Sequence, residues 1–382
     1  MSFDVQLPAQ IVFGRGAATN AGNHADSFGT RALVLTEYSL VQLGVVDPVT
    51  TSLRDAGLEV DVFDGVKPDP TLSIVNAAVA AARESGADVL VGVGGGSSMD
   101  VTKAVGILLE NPELESEPFG RGHVPKPGMP TILLPTTAGS GAEVSPAVVV
   151  VDDRNGHEKK GIIDPNVFAN VAIVDPSLSD DLPPSITRST GIDAFAHAVG
   201  SAISTSSNPF ADALCSEAMA LVEANLREAT FNGADAPTAR DGMALAAMMA
   251  MAGRVNGGKA AIHAMAYGVQ SLYDIPHGVA IAAVMPSVLE YNLPAAVSTY
   301  AALGSRLYGA SGDRRTQAAT FLEGVHRLRS DVGLDDGLRE YGATAADLDD
   351  LASMAVTSTR HLETNPRSIS ESDARIILET AL

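Results

Sequence analysis

Side chains of the types that bind divalent metals stand at three places in the second half of the chain, at Asp193 with His197, at His263 and at His277. Asp193 and His197 are four residues apart, so on a helix they share one face, one turn apart. One carboxylate with three imidazoles suits Fe²⁺ or Zn²⁺ and disfavours Ca²⁺. The set predicts a metal site; the alternative is that each histidine is structural and that the Asp/His pair is a helix-surface contact. The remaining histidines lack such neighbours and are interpreted as surface or structural: His24, His123, His157, His326 and His361.

A glycine-rich turn in the first half has the composition of a phosphate-binding loop. Residues 91–100 (VGVGGGSSMD) follow a strand-like run and precede a helical one. Glycines let the backbone approach a phosphate, and N–H groups at a helix start attract negative charge. The spacing of Ser97 and Asp100 also predicts a capping box at this helix start. The alternative is a tight turn without a ligand, because the pattern is neither Gly-x-Gly-x-x-Gly nor a P-loop.

Polar residues follow two further predicted strands. Thr136 and Thr137 open a second turn, PTTAGSGAE at 135–143. Because the carboxyl ends of parallel strands meet at one edge of a sheet, we expect both turns to outline one dinucleotide cleft; helix capping is the alternative role of the threonines. Glu37 follows an earlier strand, where a carboxylate accepts hydrogen bonds from ribose hydroxyls and repels a 2′-phosphate. Glu37 therefore favours NAD over NADP, and an exposed acidic loop residue is the alternative interpretation.

The elements that must position these residues change in type along the chain. In the first half, short apolar runs alternate with Ala-rich helical segments, which predicts a parallel sheet with helices on both faces. The predicted strands are 31–36, 58–63, 88–93, 131–134, 147–151 and 171–174. After Asp180–Pro184, long Ala/Leu/Met stretches predict helices alone. We therefore expect an α/β, Rossmann-like dinucleotide-binding domain over 1–182 and an all-α metal- and substrate-binding domain over 183–382.

Composition narrows the class of protein. The chain has 382 residues and a net charge of −21, which argues against non-specific nucleic-acid binding. No apolar run approaches the ~20 residues that span a bilayer, and the first residues do not form a signal-peptide pattern. The single cysteine, Cys215, cannot form an internal disulfide, and we interpret it as a buried structural thiol. The prediction is a cytoplasmic protein that binds neither nucleic acid nor membrane.

In this order, the motifs resemble the iron-containing (group III) alcohol dehydrogenases. The resemblance runs nearly end to end, from Val12-Phe13-Gly14-Arg15-Gly16 to Thr364-Asn365-Pro366-Arg367. It implies that Asp193, His197, His263 and His277 are the metal ligands, with Fe²⁺ as the metal and Zn²⁺ as the alternative. For NAD it implies contacts from Asp69, Gly95, Gly96, Ser97, Asp100, Thr136, Thr137, Ser145 and Lys159. Lys160 leaves the register of Lys159 open by one residue, and Asp69 stands where the family often has Asn.

The resemblance also implies an activity, which is reversible hydride transfer between a small alcohol and NAD, with the metal at the substrate oxygen in a cleft between the domains. It implies a homodimer or larger assembly. A zinc-dependent glycerol dehydrogenase-like or dehydroquinate synthase-like enzyme is an alternative that shares the architecture. A nucleotide-binding regulator that has lost catalysis is an alternative from another class. Retention of all four ligand residues argues against the regulator, and the Pro-His-Gly-Val-Ala and His-Ala-Met-Ala motifs favour the alcohol dehydrogenase branch.

Two departures from the resembled pattern concern the substrate pocket. Tyr267 replaces a second histidine four residues after His263, so it is either a proton relay or a tyrosine packed in the cleft wall. Arg254 and Lys259 flank Asn256-Gly257-Gly258, which should end one helix and let another begin near Lys259. Two cations beside a metal predict a substrate with a carboxylate, phosphonate or sulfonate tail. The alternative is that both cations reach solvent or pair with acids, and that the substrate is a neutral short alcohol or diol.

Overall fold

The computed structural model describes residues 2–154 and 158–382, which form two compact units. His157 lies outside the described residues. Val5–Asp181 forms one unit, and Leu182–Leu382 with the first residues of the chain forms the other. All strands of the described chain belong to the first unit, and the second is helical. The predicted fold class is confirmed.

Parallel strands form the centre of the first unit. In chain order, the strands are β1 (Gln10–Phe13), β2 (Arg31–Glu37), β3 (Glu59–Val66), β4 (Val89–Gly94), β5 (Gly120–Arg121), β6 (Thr131–Pro135), β7 (Ala147–Asp152), β8 (Glu158–Ile163) and β9 (Val171–Val174). The larger sheet has the order β1-β9-β6-β4-β2-β3, and its neighbouring strands are all parallel. The smaller sheet has the order β5-β8-β7. Continuous burial along β4, β6 and β9 is typical of parallel strands covered on both faces.

Helices cover both faces of the larger sheet. They are α1 (Ala21–Ala25), α2 (Tyr38–Gln42), α3 (Asp47–Asp55), α4 (Leu72–Ser85) and α5 (Gly96–Glu110). Leu33 and Leu35 pack with α4 and α5, whereas Val34 packs with α1 and α3 on the opposite face. The chain therefore leaves β2 toward one face and β4 toward the other. These two neighbouring strands form a topological switch point, where open α/β sheets bind their ligands.

The second unit is a set of helices packed through small residues. They are α6 (Pro184–Ala202), α7 (Pro209–Asn232), α8 (Pro237–Gly257), α9 (Ile262–Tyr273), α10 (His277–Tyr308), α11 (Arg314–Asp331), α12 (Leu348–Thr357), α13 (Thr359–Leu362) and α14 (Glu371–Thr380). Gly278 lets the first turn of α10 lie directly against the backbone of Ser189 in α6, where any Cβ would overlap the Ser189 carbonyl. Cys215 in α7 is fully buried, and burial raises the pKa of its thiol to about 12, as expected for an inert structural thiol.

One helix of the described chain, α10, is long and apolar enough to cross a membrane by length and composition alone. Of its most apolar window, 67% is buried within the structure. A buried core helix can have the same length and composition, and α10 also carries Pro286 and Pro294 in its interior. We therefore describe α10 as a core helix of the second unit.

Candidate functional site

The four predicted metal ligands come from three helices of the second unit and meet at one carboxylate oxygen. Asp193 and His197 lie one turn apart on α6, His263 is the second residue of α9, and His277 is the first residue of α10. Asp193 Oδ1 is 3.5 Å from His197 Nε2, 3.3 Å from His263 Nε2 and 3.7 Å from His277 Nε2. Donor atoms of Asp193, His263 and His277 all lie within 4.8 Å of one another. The structure thus brings the four residues together; that they bind a metal stays a prediction.

The chemistry of the cluster fits a divalent metal. Asp193 Oδ1 and His263 Nε2 are buried atoms without a hydrogen-bond partner. His277 Nδ1 lies 3.0 Å from Gln270 Oε1, a contact in which Nδ1–H donates and Nε2 keeps its lone pair for a metal. Buried polar atoms are normally satisfied, so this convergent group of polar atoms without hydrogen-bond partners fits the donor set of a divalent metal.

The surroundings keep His197 and His263 neutral, as ligation requires. Burial holds the pKa of His197 and His263 well below the usual range of imidazole. Arg254, Lys259 and Arg360 act in the same direction on His263, because their positive charges oppose protonation. The three cations therefore lie within electrostatic range of His263, and Arg360 was not predicted as part of this site.

Aromatic rings extend the cluster beyond the four predicted ligands. His197 stacks on His263 with ring centroids 4.8 Å apart, and His361 stacks on the same ring at 6.0 Å. Tyr267 contacts His277 at 5.9 Å and His361 at 5.3 Å. Tyr267 therefore faces the histidine cluster, while its part in proton transfer stays a prediction. His361 is a site residue that sequence reasoning missed, although it lies three residues before the Thr364–Arg367 motif.

The turn that carries the predicted pocket cations differs from the expectation in one respect. The helix α8 ends at Gly257, and Gly258 has φ 89°, a backbone conformation that favours glycine. The next helix begins at Ile262, so Lys259 lies in the turn and not on the helix of His263. The predicted helix start near Lys259 is wrong because Thr364 Oγ1 accepts the Lys259 N–H at 3.1 Å and donates to the Lys259 carbonyl at 2.7 Å. Arg254 is half-buried in the last turn of α8.

The two turns predicted to bind the dinucleotide are neighbours in the first unit. Gly94 and Pro135 are paired at the carboxyl ends of β4 and β6, and Thr136 N donates to Gly94 O at 2.9 Å. A Cβ on Gly96 would stand 3.1 Å from Ser140 Oγ, so the turns touch where glycine leaves room. The helix α5 begins at Gly96 after Gly95, and no side chain caps it. Its first N–H groups are thus the kind that bind phosphate.

Asp100 does not form the predicted capping box with Ser97, because α5 begins at Gly96, one residue before Ser97. Its carboxylate accepts from Val149 N at 2.8 Å and pairs with the buried Lys103 ammonium at 3.0 Å. Lys103 also donates to the carbonyls of Ala142, Ser145 and Ala147. Asp100 and Lys103 together anchor the second turn to α5; a direct contact of Asp100 or Ser145 with a cofactor stays a prediction.

The other predicted cofactor residues also belong to the first unit. Lys159 Nζ pairs with Asp69 Oδ1 at 2.7 Å, which joins β8 to the loop after β3. Asp69 has φ 48°, a left-handed conformation that Asn and Asp adopt more readily than most residues. Glu37 ends β2 at the switch point and is half-buried, and burial raises the pKa of its carboxyl. Their contacts with a cofactor stay predictions.

Comparisons with known proteins agree over the whole chain. Residues 8–176 match the family model described as iron-containing alcohol dehydrogenase, and residues 187–382 match the C-terminal model of the same family. The sulfoacetaldehyde reductase of Bilophila wadsworthia (strain 3_1_6) is 35% identical, with 99% of each chain covered. A crystal structure of a 1,3-propanediol oxidoreductase superimposes with a TM-score of 0.96 at 32% identity, covering 100% of both chains. A sulfoacetaldehyde reductase from Bifidobacterium kashiwanohense in complex with NAD⁺ gives a TM-score of 0.90 at 27% identity, covering 100% of this chain and 99% of that one.

Glu37→Ser should shift dinucleotide choice toward the phosphorylated form. Removing a carboxylate that repels a 2′-phosphate is expected to raise NADPH affinity relative to NADH by about tenfold or more, since like-charge contacts cost on the order of one to several kcal/mol. The dissociation constants are measured by NAD(P)H fluorescence. The pKa of Glu37 is raised, so its carboxylate becomes protonated at a higher pH than an ordinary glutamate does. As the pH falls, the preference for NADH over NADPH should therefore weaken earlier than an ordinary glutamate would allow. Glu59→Ser, which removes an exposed acid of the neighbouring strand, is the control and should change neither constant. Tighter NADPH than NADH binding by the wild type would contradict the assignment.

Proposed function

The chain belongs to the iron-containing alcohol dehydrogenase family, and we propose from this premise that it reduces a short aldehyde with an anionic tail, using NADH and a divalent metal, and oxidises the matching alcohol in reverse. Family membership supports the class of metal-dependent, NAD-linked alcohol oxidoreductase. The observation that carries the proposal is the convergence of the Asp193, His263 and His277 donor atoms next to cationic side chains.

Residues 183–382 act as the metal- and substrate-binding domain in this proposal. Asp193, His197, His263 and His277 hold Fe²⁺, with Zn²⁺ as the alternative that the same donor set accepts. When bound, the metal supplies Lewis-acid stabilisation of negative charge on the substrate oxygen. Gln270 keeps the His277 ring oriented, and burial lowers the pKa of His197 and His263, so these two imidazoles stay unprotonated and able to ligate.

Residues 1–182 act as the dinucleotide-binding domain. The N–H groups at the start of α5, over Gly95 to Ser97, bind the pyrophosphate, and Glu37 accepts hydrogen bonds from ribose hydroxyls. The second turn, with Thr136 and Thr137, and Ser145 just after it form the neighbouring wall, held in place by Lys103. NAD supplies the hydride carrier.

The anionic tail follows from the charges around the metal-binding histidines. Arg254, Lys259 and Arg360 all act on His263, and Arg254 also lies near the Asp193 carboxylate. These guanidinium and ammonium groups make the electrostatic potential around the histidine cluster more positive, and a positive potential favours a substrate that carries an anionic tail. The two sulfoacetaldehyde reductases among the relatives act on such a substrate, which supports this choice. The 1,3-propanediol oxidoreductase favours the alternative, a neutral short alcohol or diol.

We also propose that the enzyme works in the cytoplasm as a homodimer or larger assembly. The lone buried Cys215 suits a reducing compartment, and the oligomer is what the resemblance to the family implies. Sedimentation of the purified chain as a monomer would contradict the oligomer.

Asp193→Ala and His263→Ala should each lose bound metal and most of the aldehyde reduction while the chain stays folded. Each change removes one of four converging donors, and the remaining three offer an incomplete coordination shell. Metal content is measured by elemental analysis after dialysis, and folding by circular dichroism. His326→Ala is the control, because His326 is an exposed histidine of the same unit that contacts Glu290. Full activity of the metal-stripped wild type would contradict the metal assignment.

Lys259→Ala should lower kcat/KM for an anionic aldehyde about tenfold to a hundredfold, because a charged hydrogen bond contributes roughly 1.5–3 kcal/mol. A neutral aldehyde of matched length should be affected much less. Aldehydes with sulfonate, phosphonate and carboxylate tails are compared with the neutral one in an NADH-oxidation assay. Lys126→Ala, an exposed lysine of the first unit, serves as the control. The anionic tail is excluded if the wild type prefers the neutral aldehyde or if Lys259→Ala impairs both substrates equally.

A further inference from the structure

The Thr364–Asn365 dipeptide lies where segments adjoining all three ligand-bearing helices meet. We propose that it is the positioning element of the metal site, in that it holds the helices α6, α9 and α10 so that their four donor atoms converge. This inference rests on the proposed function, since it takes Asp193, His197, His263 and His277 as the metal ligands. Neither Thr364 nor Asn365 contacts a predicted ligand side chain through any described hydrogen bond, so both act through backbone and helix position.

The Asn365 amide joins α9 to α10. Its Oδ1 accepts from Ala261 N at 3.1 Å and from Asn292 Nδ2 at 3.0 Å. Its Nδ2 donates to Asn292 Oδ1 at 2.8 Å and to Arg367 O at 2.6 Å. Both acceptor positions and both donor hydrogens of the amide are therefore used, which is the full capacity of an asparagine. Ala261 stands two residues before His263, and Asn292 belongs to the helix that begins with His277.

Both amides of the pair are buried, so water cannot replace a hydrogen bond that is lost between them. Asn292 is 0% exposed and Asn365 is 6% exposed. A buried amide without partners costs about 1–3 kcal/mol, so any shift of α9 relative to α10 that breaks the pair is opposed. Two apolar side chains could fill the same space and would tolerate several relative positions of the two helices. The paired amides form their hydrogen bonds in only one of these positions.

Thr364 adds the third helix and the turn before His263. Its Oγ1 bonds to both the N–H and the carbonyl of Lys259, which holds the turn between α8 and α9. Its own carbonyl accepts from Thr205 N at 2.9 Å, and Thr205 follows the end of α6, the helix of Asp193 and His197. The dipeptide is thereby bonded to the segment after α6, to the start of α9 and to α10.

The neighbouring residues keep the dipeptide in place. Arg367 donates to the Tyr291 carbonyl on α10, and its guanidinium lies 3.9 Å from the centre of the Tyr291 ring. Tyr291 OH donates in return to Ser368 O at 2.8 Å. The motif Thr364-Asn365-Pro366-Arg367 thus has a physical role that its position far from the ligands in the sequence did not suggest.

The test measures metal affinity independently of turnover. Wild type, Asn365→Ala, Thr364→Val and Thr364→Ser are titrated with Co²⁺ and with Zn²⁺ against a competing chelator, and the visible spectrum of the Co²⁺ forms reports coordination geometry. Asn111→Ala is the matched control, because Asn111 is an equally buried amide of the first unit that bonds to Ile107 and Lys126. Thermal unfolding of the metal-free proteins separates lost stability from lost positioning.

Asn365→Ala and Thr364→Val should weaken metal binding about tenfold to a hundredfold, as losing a partner that orients ligands commonly does, and should alter the Co²⁺ spectrum. Thr364→Ser keeps the hydroxyl and should bind as the wild type does, and Asn111→Ala should lose stability but not metal affinity. If Asn365→Ala does not fold, the inference is tested by comparing the metal affinity of Thr364→Val with that of Thr364→Ser. The inference is overturned if Asn365→Ala or Thr364→Val binds metal with unchanged affinity and gives an unchanged Co²⁺ spectrum. A wild type that binds neither metal would instead overturn the proposed function.

Discussion

Side chains from three helices of the helical unit converge on one buried carboxylate oxygen, which accepts no hydrogen bond from the described residues. Asp193 Oδ1 is surrounded by three imidazole Nε2 atoms at 3.3–3.7 Å. Burial holds the pKa of His197 and His263 well below the usual range of imidazole, so each ring is neutral and offers one nitrogen lone pair. Such an arrangement is costly in a buried site unless a cation occupies the centre. We therefore expect the relative positions of the three helices to depend on the positive charge that this centre receives.

Small residues stand where helices of this unit pack closely together. A Cβ at Gly278 would overlap the Ser189 carbonyl, so the first turn of α10 reaches α6 only because residue 278 is glycine. Gly191 similarly gives space to Leu226 and Met243 on the neighbouring helices. Close approach of backbones is what allows short donors such as Asp193 to reach imidazoles on other helices. Polar bonds at Thr364 and Asn365 then select one arrangement among the many that small apolar residues would tolerate.

The sequence predicted the elements whose signals are local, and it failed where distant contacts decide. The strand over 131–134 is a continuous apolar run and the helix over Leu72–Ser85 has helical periodicity, whereas β1, β5 and β8 are short or exposed and were not predicted. The spacing of Ser97 and Asp100 is that of a capping box, but Lys103 and Val149 bind the carboxylate instead. The helix start expected near Lys259 is displaced by Thr364, a residue 105 positions away. His361 and Arg360 join the site through the fold alone, because no spacing relates them to His263.

The four predicted metal ligands all belong to one unit, and the predicted dinucleotide contacts all belong to the other. Mass action then makes each bound species a stabiliser of its own half of the chain, by an amount set by its concentration relative to its dissociation constant. Iron supply would govern the resistance of the helical half to unfolding and proteolysis, while the redox state and abundance of the nicotinamide pool would govern that of the sheet half. The lifetime of the enzyme in a cell would thus depend separately on the supply of metal and on the nicotinamide pool. Shortage of metal would first expose the Ala- and Met-rich helices to proteolysis.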